Sequence, residues 1–118
     1  MAATAVLDAS IIDEVRDALG DAAYRGFAAT LLAEITDLIP RLDALLRAGA
    51  HEELAQTAHR SAGSAVSVGA VAIHALLKEI EDQARLPDAP ARLPALLNSL
   101  PARLSDTRAA IAALVGPV

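Results

Sequence analysis

One histidine, His59, stands among unusually small side chains, and its setting suggests a nucleophile. The run from Ala58 to Gly69 has the composition of a helix. At about 100° per residue, His59 and the apolar face of this helix fall on opposite sides, so the imidazole is predicted to face water. Imidazole has a reference pKa of about 6.5, so much of it is unprotonated at pH 7 without special activation. Such a ring can accept a group from a visiting partner.

The helical neighbours of His59 are short or flexible, which would keep the approach to the ring open. They lie three, four or seven positions away: Ala55, Gln56, Ala62, Gly63 and Val66. A glycine inside a helix costs on the order of 1 kcal/mol relative to alanine. Access to His59 would justify that cost, and close packing of another helix would justify it equally well. The two alanines and Val66 are predicted to form an exposed apolar patch from which a partner could exclude water.

Five helical segments are predicted to position this histidine. Apolar residues recur at spacings of three and four, and glycines mark the stops between segments. Pro94 is expected at the first position of the last helix, and Pro101 is expected to kink that helix or split it in two. The predicted helices span approximately residues 8–19, 21–48, 51–68, 70–86 and 93–114.

The short turns between these segments predict an all-α fold. It would be an antiparallel up-down-up-down four-helix bundle with an extra short N-terminal helix as a lid. The 118 residues suffice for a single domain, 1–118, and Met1 with the complete set of helices suggests a free-standing chain. Hydrophobic residues make up 54% of the sequence, with only one Phe and one Tyr, so the core must be aliphatic.

Composition excludes several classes of function. A net charge of −5 argues against nucleic-acid binding, and the absence of cysteine excludes thiolate chemistry. The longest uncharged run, Ser61 to Leu77, falls short of the roughly 20 apolar residues that a membrane span needs. Asp8 comes too early for a secretory signal. We therefore expect a cytoplasmic protein.

The other two histidines are assigned ordinary roles. His51 is expected at a helix start on the surface, and His74 is expected to be packed or at the edge of the fourth helix. The three histidines lack the short helical spacing of a zinc site, so no metal site is predicted. No pair of carboxylates stands out as an acid and base, although Glu81 and Arg85 have the favourable spacing for an ion pair.

Two segments together resemble the histidine-containing phosphotransfer (HPt) domain of bacterial phosphorelays. The first is AHRSAGS at residues 58–64, followed by a small-residue stretch that ends in Gly69-Ala70. The second is LLKEIEDQAR at residues 76–85. The similarity is close over the third and fourth predicted helices and looser over the second.

This resemblance implies that His59 accepts a phosphoryl group from the aspartyl phosphate of a receiver domain and passes it to another receiver. The chain would be a phosphocarrier and not an enzyme, and it would need no cofactor because the receiver brings the Mg²⁺. Expected partners are receiver domains of response regulators or hybrid histidine kinases, bound by a monomer. The surface for them would consist of Ala55, Gln56, Arg60, Ala62, Gly63 and Val66.

Ser61 and Ala62 depart from the family pattern, which usually has leucine and then lysine there. The lysine would attract the phosphoryl charge, and Ala62 cannot. Either Arg60 or a cation from another helix replaces it, or transfer is slower, or the chain only binds receivers. The alternatives to a shuttle are therefore an interaction module that carries no phosphate and a purely structural bundle, such as a dimerisation domain.

Overall fold

Five α-helices make up most of the chain in the computed structural model, which describes residues 5–118. The helices are α1 (Ala9–Leu19), α2 (Asp21–Arg47), α3 (His51–Ser67), α4 (Val71–Ala84) and α5 (Ala89–Val115). No strand occurs within residues 5–118. The predicted all-α class is confirmed, and the first four helices lie within a few residues of their predicted bounds.

The longer helices form a four-membered ring. Helix α3 packs mainly on α2 and α4, and α5 packs mainly on the same two helices, so α3 and α5 occupy opposite corners. Short turns make consecutive helices antiparallel. Helix α1 packs on α2 outside this ring, as the predicted extra N-terminal helix.

Small side chains dominate the inner face of α3. Ala55, Ala58, Ala62 and Ala65 are all buried in the aliphatic core, together with Leu54. Because the distance between packed helices depends on the side chains at the contact, a row of alanines allows close packing against the neighbouring helices. Helix α3 is therefore a tightly held support for whatever projects from its outer face.

The turn between α3 and α4 is tied to α1 and α2. Gly69 has φ +77°, and a Cβ there would lie 2.8 Å from Cγ1 of Ile12 on α1. Its carbonyl accepts a 2.8 Å hydrogen bond from the amide of Asp8, the N-cap of α1. The buried Tyr24 hydroxyl donates to the Val68 carbonyl at 2.7 Å. These contacts lock the C-terminal end of α3 against two other helices.

Helix α5 differs from its prediction at its start. It begins at Ala89 rather than near residue 93, so Pro94 is an interior residue and Pro90 occupies the first turn. Of the two outcomes predicted at Pro101, the split does not occur, since α5 continues through this residue, and α2 likewise continues through Pro40. Each proline removes one backbone hydrogen bond, but all three lie on exposed faces while the opposite faces pack into the core. Tertiary packing has outweighed local preference here.

Candidate functional site

His59 projects from the outer face of α3, as its helical position predicts. Its side chain is 64% exposed and lines a groove of about 290 Å³. The groove lies between α3 and α4, and its other lining residues are Gln56, Arg60, Glu81 and Arg85. Both nitrogens of an imidazole can form hydrogen bonds, so the partners of this ring decide what it can do.

A carboxylate from α4 holds one side of the ring. Glu81 is almost buried, with 7% of its side chain exposed, and its Oε1 lies 3.0 Å from His59 Nδ1. The same oxygen accepts a 2.8 Å hydrogen bond from Lys78 Nζ. The other oxygen, Oε2, accepts a 2.7 Å hydrogen bond from Arg85 Nη1. Three donors thus converge on one carboxylate.

These donors fix the protonation of Glu81 and, through it, the tautomer of His59. The hydrogen bond from Lys78, with those from Arg85 and His59, outweighs the effect of burial and lowers the pKa of Glu81 to about 2. An ionised carboxylate can only accept hydrogen bonds, so Nδ1 must be the protonated nitrogen of the ring. Nε2 then carries the free lone pair, and no hydrogen bond from residues 5–118 occupies it.

Arg85 extends this network to the start of α3. Its Nε and Nη2 donate to the two carboxylate oxygens of Glu52, each at 3.2 Å. The hydrogen bond from Arg85 lowers the pKa of Glu52, and the pairs with Glu52 and Glu81 raise the pKa of Arg85. The expected Glu81–Arg85 ion pair is present, but its connection to His59 was missed. The spacing of residues along one helix does not show which residues of a neighbouring helix they will meet.

The residues predicted to surround His59 divide into two groups. Gln56, Arg60 and Gly63 are exposed, and Val66 is partly exposed. Ala55 and Ala62 are buried, with 0% and 1% exposure, so the predicted apolar patch that included them is wrong. They belong to the alanine row that packs inside the bundle, because the buried face of α3 is wider than predicted. His74 also lies over this flank, with its Nδ1 3.0 Å from the Ala62 carbonyl oxygen.

Gly63 is not required by packing within this chain. A Cβ at this position would have no heavy atom within 4 Å among the residues that the structure describes. Of the two predicted reasons for this glycine, close packing of another helix of the same chain is therefore excluded. The other reason, space on the surface beside His59, stays a prediction.

A second groove, which sequence reasoning missed, lies further along α3. It measures about 410 Å³ and is mainly apolar. Leu19 at the end of α1 and Phe27 on α2 are 59% and 47% exposed at its edges. Phe27 shares the three- and four-residue apolar spacing of α2 with Tyr24 and Leu31, but unlike them it is exposed. The remaining lining residues are Val15, Thr30, Leu31, Glu34, Ser64, Ser67 and Val68.

A family model for the Hpt domain matches residues 26–113 of the chain. The chain belongs to the HPt family. The matched residues include His59, Glu81 and Arg85, and they leave out α1. HPt domains are phosphotransfer modules of phosphorelays that interact with receiver domains, and they carry phosphate without being enzymes in the ordinary sense.

Two further searches for similar proteins found none. Neither the curated proteins nor the solved structures gave a match. No helix in the described part of the chain has the length and apolar character needed to cross a membrane. The family assignment therefore depends on the domain match, and the roles of individual residues depend on their geometry.

Proposed function

We propose that the chain is a phosphocarrier in which Nε2 of His59 takes a phosphoryl group from the aspartyl phosphate of one receiver and passes it to another. The Nε2 lone pair attacks phosphorus, the bond from phosphorus to the aspartyl oxygen breaks, and the aspartate leaves with the bonding electrons. The proton on Nδ1 stays on the ring. The positive charge that develops on the imidazole is stabilised by the adjacent Glu81 carboxylate.

One observation carries this proposal: Nδ1 of His59 lies 3.0 Å from the carboxylate of Glu81. Since an ionised carboxylate only accepts hydrogen bonds, this contact puts the proton of the neutral ring on Nδ1 and the free lone pair on Nε2. A nucleophile that needs no proton removed can react without a base of its own. The chain therefore supplies a positioned ring, and the receiver supplies the aspartyl phosphate and its Mg²⁺. We further propose that the chain acts as a cytoplasmic monomer.

We further propose that the receiver that covers His59 extends to the apolar groove on the α2 side of α3. A stable interface buries about 800 Å² on each partner, a patch tens of ångströms across. Ser64, at the edge of the groove, lies five residues beyond His59 on α3, which is about 7.5 Å along the helix axis. Leu19 and Phe27 therefore supplement the docking surface around Gln56, Arg60, Gly63 and Val66, and Ala55 and Ala62 support it from below.

The direct test is labelling of a His59→Gln variant by phosphorylated receivers. We expect complete loss of label, because glutamine has no nucleophilic ring nitrogen, with the helical circular dichroism spectrum unchanged. His51→Gln and His74→Gln are the matched controls and should label like the wild type. Label that persists in His59→Gln would contradict the proposal.

A second candidate is an interaction module that binds receivers without carrying phosphate. The buried, neutral Ala62 favours it, because this position offers no charge to a phosphoryl group. This candidate predicts that receiver binding survives in His59→Ala and that the wild type never acquires acid-labile phosphate. A phosphohistidine detected at His59 would eliminate it.

A further inference from the structure

We propose that Arg60 is the residue that binds the phosphoryl group carried by His59. The proposal deepens the phosphocarrier function and rests on it. A phosphoryl group at Nε2 brings negative charge into the groove between α3 and α4, and a nearby cation without another partner would stabilise it. Three cationic side chains lie at or beside this groove: Arg60, Lys78 and Arg85.

Two of these cations are already neutralised. Lys78 is paired with Glu81, and Arg85 is shared between Glu81 and Glu52. The two positive and two negative charges cancel. Lys78 also approaches the ring at its Nδ1 edge, through the same Glu81 oxygen, whereas the phosphoryl group would be on the opposite edge. Neither cation is free to face Nε2 without breaking an ion pair.

Arg60 is different in both charge and position. It follows His59 directly on α3, is exposed, and lines the groove with the imidazole. Its guanidinium forms no ion pair with a carboxylate in residues 5–118, and its contact with Thr57 Oγ1 is long, at 3.5 Å. With Glu52, Glu81, Lys78 and Arg85 balanced, Arg60 supplies the remaining positive charge of the groove.

The chemistry of the side chain suits this role. Guanidinium presents a planar fork of N–H donors that matches two phosphoryl oxygens, and it remains charged at any physiological pH. The long side chain can also rotate toward Nε2 without moving α3, because little holds it in its present place. Arg60 would thus supply the charge that Ala62 lacks.

Chemical phosphorylation of the purified chain tests the role of Arg60 without a receiver. Phosphoramidate transfers its phosphoryl group to histidine as its P–N bond breaks and ammonia leaves, while a new P–N bond forms at Nε2. We expect Arg60→Gln to be labelled at His59 about tenfold more slowly, the effect of losing one charge-assisted hydrogen bond. Arg60→Lys should recover part of the rate. Arg92→Gln on α5, with the same change in net charge, should match the wild type.

A second measurement follows the phosphoryl group itself by ³¹P NMR. An adjacent guanidinium favours the dianion, so its removal should shift the second ionisation of the phosphoryl group to higher pH in Arg60→Gln and not in Arg92→Gln. Equal rates and equal titration curves in the wild type and Arg60→Gln would overturn the proposal, and so would failure of phosphoramidate to label His59.

The two proposals fail in distinguishable ways. If receivers do not label the chain but chemical labelling depends on Arg60, the shuttle function is wrong and the assignment of Arg60 stands. If receivers label His59 and neither measurement depends on Arg60, the shuttle function stands and the assignment of Arg60 is wrong. Circular dichroism of each variant confirms that the helices are retained.

Discussion

At the scale of single residues, the most informative contact is the one between His59 and Glu81. The carboxylate belongs to another helix, is almost buried, and is held in place by Lys78 and Arg85. It therefore acts as a positioning residue, which determines both the orientation of the ring and the nitrogen that carries the proton. Its effect can be measured separately from any phosphotransfer.

The Glu81→Gln substitution should allow the His59 imidazole to adopt both tautomers. An amide can present either its oxygen or its nitrogen to Nδ1, so the Nδ1-protonated form would lose its exclusive stabilisation. Long-range ¹H–¹⁵N spectra at neutral pH should show a mixture of tautomers in this variant and a single form in the wild type. The control is Glu79→Gln, which changes an exposed neighbour on α4. Identical nitrogen shifts in Glu81→Gln and the wild type would refute the positioning role.

Glu81 should also make the free energy of unfolding depend on pH in the acidic range. Its pKa falls from 4.5 to about 2 on folding, so its ionised form stabilises the folded state above pH 4.5. That contribution is lost as the pH falls from 4.5 toward 2. Urea unfolding at a series of pH values should show a steeper loss in the wild type than in Glu81→Gln. Parallel curves for the two proteins would show that the ion pairs of Glu81 do not contribute.

At the scale of elements, α3 combines a crowded inner face with an open outer face. The alanine row packs inside the bundle, and Gly63 leaves the surface beside His59 bare. A glycine in this position lowers helix stability without improving any contact within the described chain. Under the proposed function, we expect its benefit to appear when a receiver approaches His59.

Replacing Gly63 with alanine should separate stability from function. Because a Cβ fits without contact, Gly63→Ala should raise the free energy of unfolding by about 0.5–1 kcal/mol. The added methyl group should slow labelling by a receiver and leave labelling by phosphoramidate unchanged. Gly26→Ala on α2, also helical and without a contact within 4 Å, calibrates the gain in stability. Receiver labelling at the wild-type rate in Gly63→Ala would show that the space is not needed.

Some features of the helices could be predicted from the sequence, and others could not. Spacing within one helix was sufficient to place His59 on the outer face of α3, and the glycines gave the ends of α1 and α3 correctly. The burial of Ala55 and Ala62 was missed because it depends on how closely α4 covers that flank. The start of α5 was missed because Pro90, rather than Pro94, occupies its first turn. Contacts between helices were the common source of error.

At the scale of the whole molecule, the His59 groove and the apolar groove lie along the same helix. Helix α5 occupies the opposite corner of the bundle, so exposed apolar residues on its outer face are not expected to meet the same partner. This arrangement provides a comparison between two similarly exposed side chains, Phe27 and Leu114, which are 47% and 46% exposed.

Phe27→Ala should weaken binding of a receiver by roughly tenfold, since truncation of a buried aromatic anchor in an interface typically costs more than 1 kcal/mol. Leu114→Ala should bind like the wild type. Isothermal titration with a receiver measures both affinities, and phosphoramidate labelling should be equal in the two variants because His59 is untouched. Equal affinity of Phe27→Ala and the wild type would place the docking surface elsewhere.

His59 lies at the midpoint of α3, eight residues from either end of the helix. Helices fray from their ends, and both turns that flank α3 are connected to its neighbours through backbone hydrogen bonds. The amide hydrogens around residue 59 should therefore exchange with deuterium only when the entire bundle opens. A receiver would therefore meet an imidazole held on a rigid helix. The conformational changes needed for docking would occur in the receiver or in flexible side chains.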